Sequence, residues 1–160
     1  MTMIGFHFHD HSTCIADGIA AADAHCRAAG LQFTPVRRRV LELLLEAHKA
    51  MGAYDLLDIL RTEGLGSQPP IVYRALDFLV TNGFAHKIER LNAFVACSHP
   101  TDQHAPLFMF CRICRTVAEV PSEVTHGRLG AAEDDAGFQI ERVVMEAEGL
   151  CPNCQEDGAQ

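Results

Sequence analysis

Apolar residues return at helical intervals through the first half of the chain. Thr34-Pro35 reads as an N-cap followed by proline at the first helical position, and behind it Val36, Val40, Leu43, Leu44 and Ala47 form one stripe. Ser67-Gln68-Pro69-Pro70 is a second start signal. After it Val72, Ala75, Leu76 and Leu79 occupy the i, i+3, i+4, i+7 places of one face, and Gly83 closes the helix. Tyr73, Arg74, Asp77 and Thr81 therefore share the opposite, polar face. Ala53 to Glu63 reads as a helix ended by Gly64 and Gly66, and the alanine-rich stretch from Cys14 to Ala29 as another with Gly30 behind it. Beyond Gly83 the period shortens. Segments around His86 to Arg90 and Ala93 to Cys97, separated by Leu91-Asn92, suit a hairpin. Later, Leu107 to Phe110 and Thr116 to Val120 read as strands, Pro121 to about Ala136 as a helix closed by Gly137, and Phe138 to Glu148 as a long strand.

This order implies an α+β protein. Helices followed by a hairpin are the order of a winged helix-turn-helix, whose last helix enters the major groove of DNA; a generic small α+β domain with a solvated polar face is the alternative. The expected division is a tail at 1–13 (with His7, His9, Asp10 and His11), a winged-helix domain at 14–97, a linker at 98–106 and a small α/β domain at 107–160. The last segment leaves sheet edges uncovered, so pairing with a second copy is expected.

Composition narrows this only a little. Apolar residues at 48% exclude a disordered chain. No apolar run is long enough to span a membrane, and the N-terminus lacks a basic n-region with an apolar stretch behind it, so a cytoplasmic protein is expected. Net charge is −8, unevenly distributed. Residues 1–98 carry nine Lys/Arg against ten Asp/Glu, and residues 99–160 four against eleven. A near-neutral half with local basic clusters remains compatible with nucleic acid, because attraction to phosphate depends on the local patch. Arg37, Arg38 and Arg39 at the start of one helix, and Lys87 on the hairpin, are candidates for phosphate contacts. Arg74 is the candidate base reader, since one guanidinium bonds guanine O6 and N7 together, with a phosphate contact as the alternative.

Seven cysteines and nine histidines are many for 160 residues. Two cysteine pairs, Cys111-Arg112-Ile113-Cys114 and Cys151-Pro152-Asn153-Cys154, have the spacing at which two knuckles complete a tetrahedral site. Four thiolates fill the coordination sphere of zinc and leave no place for substrate, so the ion would be structural. A redox pair or an iron–sulfur cluster are the alternatives. His86, Cys97, His99, His104, Glu119 and His126 form a looser group around the linker, suited to a mixed nitrogen, sulfur and oxygen site. Motifs of zinc hydrolases and zinc deaminases, Gly-rich phosphate loops and nucleophile elbows are absent, so an enzyme is not expected.

These segments together resemble the ferric and zinc uptake regulator family, most closely its zinc-sensing branch. The resemblance rests on Leu31-Gln32-Phe33-Thr34-Pro35-Val36-Arg37, Ala53-Tyr54-Asp55-Leu56-Leu57, Pro69 to Leu79, Gly83 to Glu89 and both cysteine pairs, and it covers about Cys14 to Cys154. It implies a zinc-responsive repressor that binds operator DNA with two-fold related half-sites as a homodimer, with two zinc ions per chain. One ion is structural, on Cys111, Cys114, Cys151 and Cys154. The other is regulatory, on His86, Cys97, His104 and Glu119. Tyr54 and Arg74 match positions that contact DNA in relatives, and Tyr73 shares the exposed face with Arg74. Iron sensors carry a histidine-rich run before the first cysteine pair; here that stretch is His104-Ala105-Pro106-Leu107-Phe108-Met109-Phe110, which favours zinc over an iron- or peroxide-sensing role. A zinc buffer or a zinc enzyme without DNA activity is the rival outside the family.

Overall fold

A computed structural model describes residues 11–47, 49–98, 100, 105–122, 128–141 and 143–157. The chain forms two compact units, one within His7–Thr101 and one within Asp102–Gln160.

The first unit contains α1 (His11–Ala29), α2 (Pro35–Ala47), α3 (Ala53–Thr62) and α4 (Pro69–Thr81), then a hairpin of β1 (Ala85–Ile88) and β2 (Ala93–Ala96). Its core is the meeting of the helical stripes: Val40, Leu44, Leu56, Leu57, Leu60, Val72, Leu76 and Leu79 are all fully buried, with Ala22 and Cys26 of α1 against them. Leu41 joins them, while Val36 and Ala47 at the ends of the anticipated α2 stripe are only half-buried. Gly18 lets α1 come close to Leu45, since a Cβ there would lie 2.8 Å from Leu45 Cδ1. α4 ends as its glycine implies. Gly83 takes φ +77, and Phe84 N–H returns to the Leu79 carbonyl at 2.8 Å.

The hairpin is antiparallel, with His86 opposite Val95 and Lys87 opposite Phe94. Its connection is longer than the two residues expected. A 3₁₀ turn at Glu89–Leu91 precedes Asn92, which adopts the left-handed conformation at φ 45. Met51 bridges Phe94 through two backbone bonds of 2.9 and 2.8 Å, which fastens the α2–α3 connection to the hairpin.

The second unit has β3 (Ala105–Cys111), β4 (Val117–Ser122), α5 (Arg128–Ala136), β5 (Met145–Gly149) and a short α6 (Pro152–Asp157). The sheet order is β4-β3-β5, antiparallel on one side of β3 and parallel on the other. Three expectations change here. Pro121 does not begin a helix; it pairs with Pro106 in the ladder of β4, an edge strand that tolerates proline. The strand expected over Phe138 to Glu148 is confined to Met145–Gly149. The reason lies in α5: Phe138 N–H closes it at the Glu133 carbonyl (3.0 Å), and Ile140 N–H goes to the Glu133 carboxylate (2.6 Å), so those donors are taken from any ladder. α6 was not anticipated, although Pro152 stands at its first position as helix-starting prolines do. No described helix is long and apolar enough to cross a membrane.

Leu76 has no exposed surface, so Leu76→Ala should lower unfolding free energy by about 2–5 kcal/mol with an unchanged denaturant slope, measured by urea titration of the folded chain.

Candidate metal centre and nucleic-acid interface

The parallel pairing of β3 with β5 places the ends of both strands side by side, with Cys111 opposite Gly149. Cys111 is the last residue of β3, and Cys151 follows β5 by two positions. After Cys111 the chain turns back. Arg115 N–H bonds the Cys111 carbonyl at 3.0 Å, Arg115 takes φ +62, and Arg112 N–H crosses to the Gly149 carbonyl at 3.0 Å. The second knuckle continues into α6, where Gln155 N–H bonds the Cys151 carbonyl at 3.0 Å.

These turns bring the sulfurs of Cys111, Cys114, Cys151 and Cys154 within 4.8 Å of one another, with Cys114 and Cys151 3.7 Å apart. A tetrahedron of Zn–S bonds of about 2.3 Å has edges of about 3.8 Å. The cluster fits one ion and is too tight for an iron–sulfur cluster of several. Its electrostatics point the same way. Backbone N–H groups of Cys151, then of Cys114 and Ile113, pull the Cys111 thiol down to about 6 against its burial. The Thr116 hydroxyl, 3.2 Å from the Cys114 sulfur, holds that thiol low as well. Cys154 is pushed up to about 12, first by its hydrogen bond to Cys151 and then by burial and the other two sulfurs. Four thiolates at this distance cannot all ionise unless a cation joins them, and a divalent ion reverses that preference outright.

The residues expected at a regulatory site divide between the units. His86 is half-buried on β1, and Cys97, 6% exposed, follows β2 with its N–H on the Phe84 carbonyl at 2.9 Å. The hairpin register puts both on one face, because Cys97 lies two residues beyond Val95, the partner of His86. Glu119 lies on β4 of the other unit, opposite Phe108, and among the described residues it is the one buried charged side chain. His104 lies outside the described residues, as do His99, His126 and the tail histidines His7 and His9. His11 opens α1.

The anticipated nucleic-acid contacts stand on the first unit. Tyr54 is 63% exposed at the start of α3, and Tyr73 is 41% exposed on α4 beside the exposed Arg74. Among the described residues Arg74 makes no ion pair, and Lys87 pairs with Glu89 at 3.4 Å. The three arginines of α2 differ from one another. Arg39 is bound bidentately to Glu63 at the end of α3, with its Nη1 shared between Glu42 and Glu46, and so holds α2 to α3. Arg38 lies over the Phe33 ring (4.9 Å) with Asp23 at 3.5 Å. Arg37 lies over Phe78 at 3.8 Å. Phe33 and Phe78 escape a sequence reading because a stacked pair between separate elements leaves no periodic signal.

The zinc uptake regulation protein of Escherichia coli (strain K12) is 39% identical to this chain over 140 residues, covering 86% of the chain and 81% of that protein. The chain belongs to the zinc uptake regulator family. Among solved structures, a zinc uptake regulator complexed with zinc and DNA superposes with a TM-score of 0.86 at 36% identity, covering 91% of this chain and 98% of that one. Holo XcZur superposes with a TM-score of 0.78 at 41% identity, covering 88% and 98%. No family model matches the chain. Zinc uptake regulators therefore share with this chain both the helical unit and the one that carries the four cysteines.

Cys111→Ser should remove one zinc equivalent per chain and lower the thermal midpoint of the cysteine-bearing unit sharply, since a closed thiolate site contributes on the order of 10 kcal/mol of folding free energy. Metal counts with differential scanning calorimetry check this; a Cys111→Ser chain with full metal content and unchanged melting would exclude a metal-bearing role for the cluster.

Proposed function

We propose that this chain is a zinc-responsive transcriptional repressor, acting in the cytoplasm as a homodimer on operator DNA with two-fold related half-sites, and not an enzyme. The observation that carries the reading is the likeness across both units to a regulator solved with zinc and DNA. In this reading the four helices and the hairpin form a winged helix-turn-helix, and the sheet unit forms the dimer.

Two zinc ions per chain serve different ends. Cys111, Cys114, Cys151 and Cys154 hold the structural ion, and the 3.7 Å approach of Cys114 to Cys151 supports that assignment. His86, Cys97, His104 and Glu119 hold the regulatory one. Two imidazoles, one thiolate and one carboxylate suit zinc better than the harder ligand sets of iron sensors. A mixed site also releases its ion more readily than a closed thiolate site, as a sensor requires. When bound, zinc would tie these four side chains together. Its ligands come from both units, so occupancy restricts the DNA-binding units to the spacing of the half-sites, and the competent geometry is a minor state without it.

On DNA, α4 is the recognition helix. Its exposed face offers Arg74 to guanine in the major groove, with Tyr73 beside it, while Tyr54 reaches a base methyl or a phosphate. Arg38 and Lys87 neutralise phosphates. Arg39 is already committed to three carboxylates and takes no such part.

Arg74→Ala should weaken binding to the duplex that the zinc-loaded protein selects from a random pool by about 1–3 kcal/mol and relax base preference at one position per half-site. Lys87→Ala should weaken all duplexes alike and flatten the salt dependence; fluorescence anisotropy at several salt concentrations separates the two. Cys97→Ala should leave a folded dimer with its structural zinc yet abolish zinc-dependent DNA binding. Full zinc activation of Cys97→Ala, seen in the same titration with metal counts, would remove Cys97 from the regulatory site.

A further inference from the structure

A helix N-terminus carries partial positive charge and disfavours cations, yet α2 has three consecutive arginines directly after its opening Pro35-Val36. Two are answered by carboxylates, Arg38 by Asp23 and Arg39 by Glu42, Glu46 and Glu63. Arg37 has no carboxylate partner among the described residues. Its guanidinium carbon lies 3.8 Å from the centroid of the Phe78 ring, and its Nη1 donates to the Gln32 carbonyl. Its backbone N–H is tied to Thr34 Oγ1 at 3.3 Å, which sets where the side chain starts. Its charge also opposes the upward push of burial on the Cys26 thiol, so it is felt at the end of α1. One residue therefore touches both the segment before α2 and α4.

The location on α4 gives this contact a purpose. Phe78 is one helical turn beyond Arg74, half-buried on the flank between buried Leu76 and Leu79 and the exposed face of Tyr73, Arg74 and Asp77. A contact on the flank of a helix resists rotation about the helix axis, whereas contacts on the buried face mainly hold it down. A planar guanidinium over a ring fixes orientation as well as distance, which an ammonium does not. With its face on Phe78 and one nitrogen on Gln32, Arg37 is poorly disposed to serve chiefly as a phosphate contact.

We propose that Arg37 is a positioning residue that acts through Phe78 to set the rotation of α4, and so the direction in which Arg74 and Tyr73 meet the bases. The proposal rests on the reading of α4 as the recognition helix. It separates specificity from charge: losing Arg37 costs discrimination between sequences, not attraction to DNA in general.

The test compares affinity for the duplex selected by the zinc-loaded wild type with affinity for a scrambled duplex of the same length, at several salt concentrations. The proteins are the wild type, Arg37→Ala, Arg37→Lys, Phe78→Leu, Phe78→Tyr and the Arg37→Ala/Phe78→Leu double variant, with zinc content and thermal midpoint measured for each. Arg37→Ala, Arg37→Lys and Phe78→Leu should each lower the ratio of the two affinities about 3- to 30-fold, the range of a cation–π contact. Binding to the scrambled duplex and its salt slope should not change. The double variant should be no worse than either single one, and Phe78→Tyr, which keeps the ring face, should discriminate like the wild type. Two results would overturn the proposal. One is an Arg37→Lys protein that behaves as wild type while Arg37→Ala weakens both duplexes alike and reduces the salt slope by about one, the signature of a phosphate contact. The other is a Phe78→Leu protein with full discrimination. If the zinc-loaded wild type selects no sequence from the pool, the DNA-binding reading itself fails, an outcome distinct from either.

Discussion

The unit carrying the cysteines depends on the parallel pairing of β3 with β5. A three-stranded sheet whose described apolar core amounts to Phe108, Phe110, Val117 and Ala118 with the cysteines Cys111 and Cys151 buries little surface, and a unit this small has a narrow margin of stability that a metal staple would widen. The parallel register supplies the geometry for such a staple by bringing two chain turns, distant in sequence, to the same end of the sheet. An antiparallel arrangement of the same two strands would send Cys111 and Cys151 to opposite ends. The thiolates meet only when the strands pair, and without a cation they repel when they meet, so metal binding at this cluster would be coupled to formation of the sheet.

The helical unit relies on a different balance. Its core is conventional aliphatic packing, but its surface arginines are spent in unequal ways. Arg39 is consumed within the fold, Arg38 is shared between an aromatic face and a carboxylate, and Arg74 is exposed with no ion pair among the described residues. Similar residues therefore have different functional standing, decided by the carboxylates and rings within reach.

Much of this was legible from sequence wherever a local rule decided the outcome. The α4 stripe of Val72, Ala75, Leu76 and Leu79 is buried as its period implies, and the Cys-x-x-Cys spacing pointed to a tetrahedral cluster before any strand pairing was known. Readings changed where a non-local interaction overrode a local signal. Pro121 looks like a helix start but lies in β4, an edge strand, where a missing backbone donor is tolerated. Phe138 and Ile140 alternate like strand residues, but the backbone and side chain of Glu133 capture their N–H groups. The stacking of Arg37 on Phe78 could not be read at all, since it exists only once α2 and α4 pack. Of the residues expected at a regulatory site, the shared face of His86 and Cys97 follows from hairpin register, whereas the choice of four ligands from the looser group of six rests on resemblance.

The opposed prolines of the sheet carry one more consequence. Pro106 and Pro121 face each other at the start of β3 and the end of β4, before β5 joins at Leu107. Neither residue has an amide proton, so that corner lacks two of the donors on which another strand would grow. An open three-stranded sheet has uncovered edges, the places where edge-to-edge association of chains begins. At the one corner where both prolines stand, growth of the sheet by a further strand is disfavoured by the residues themselves.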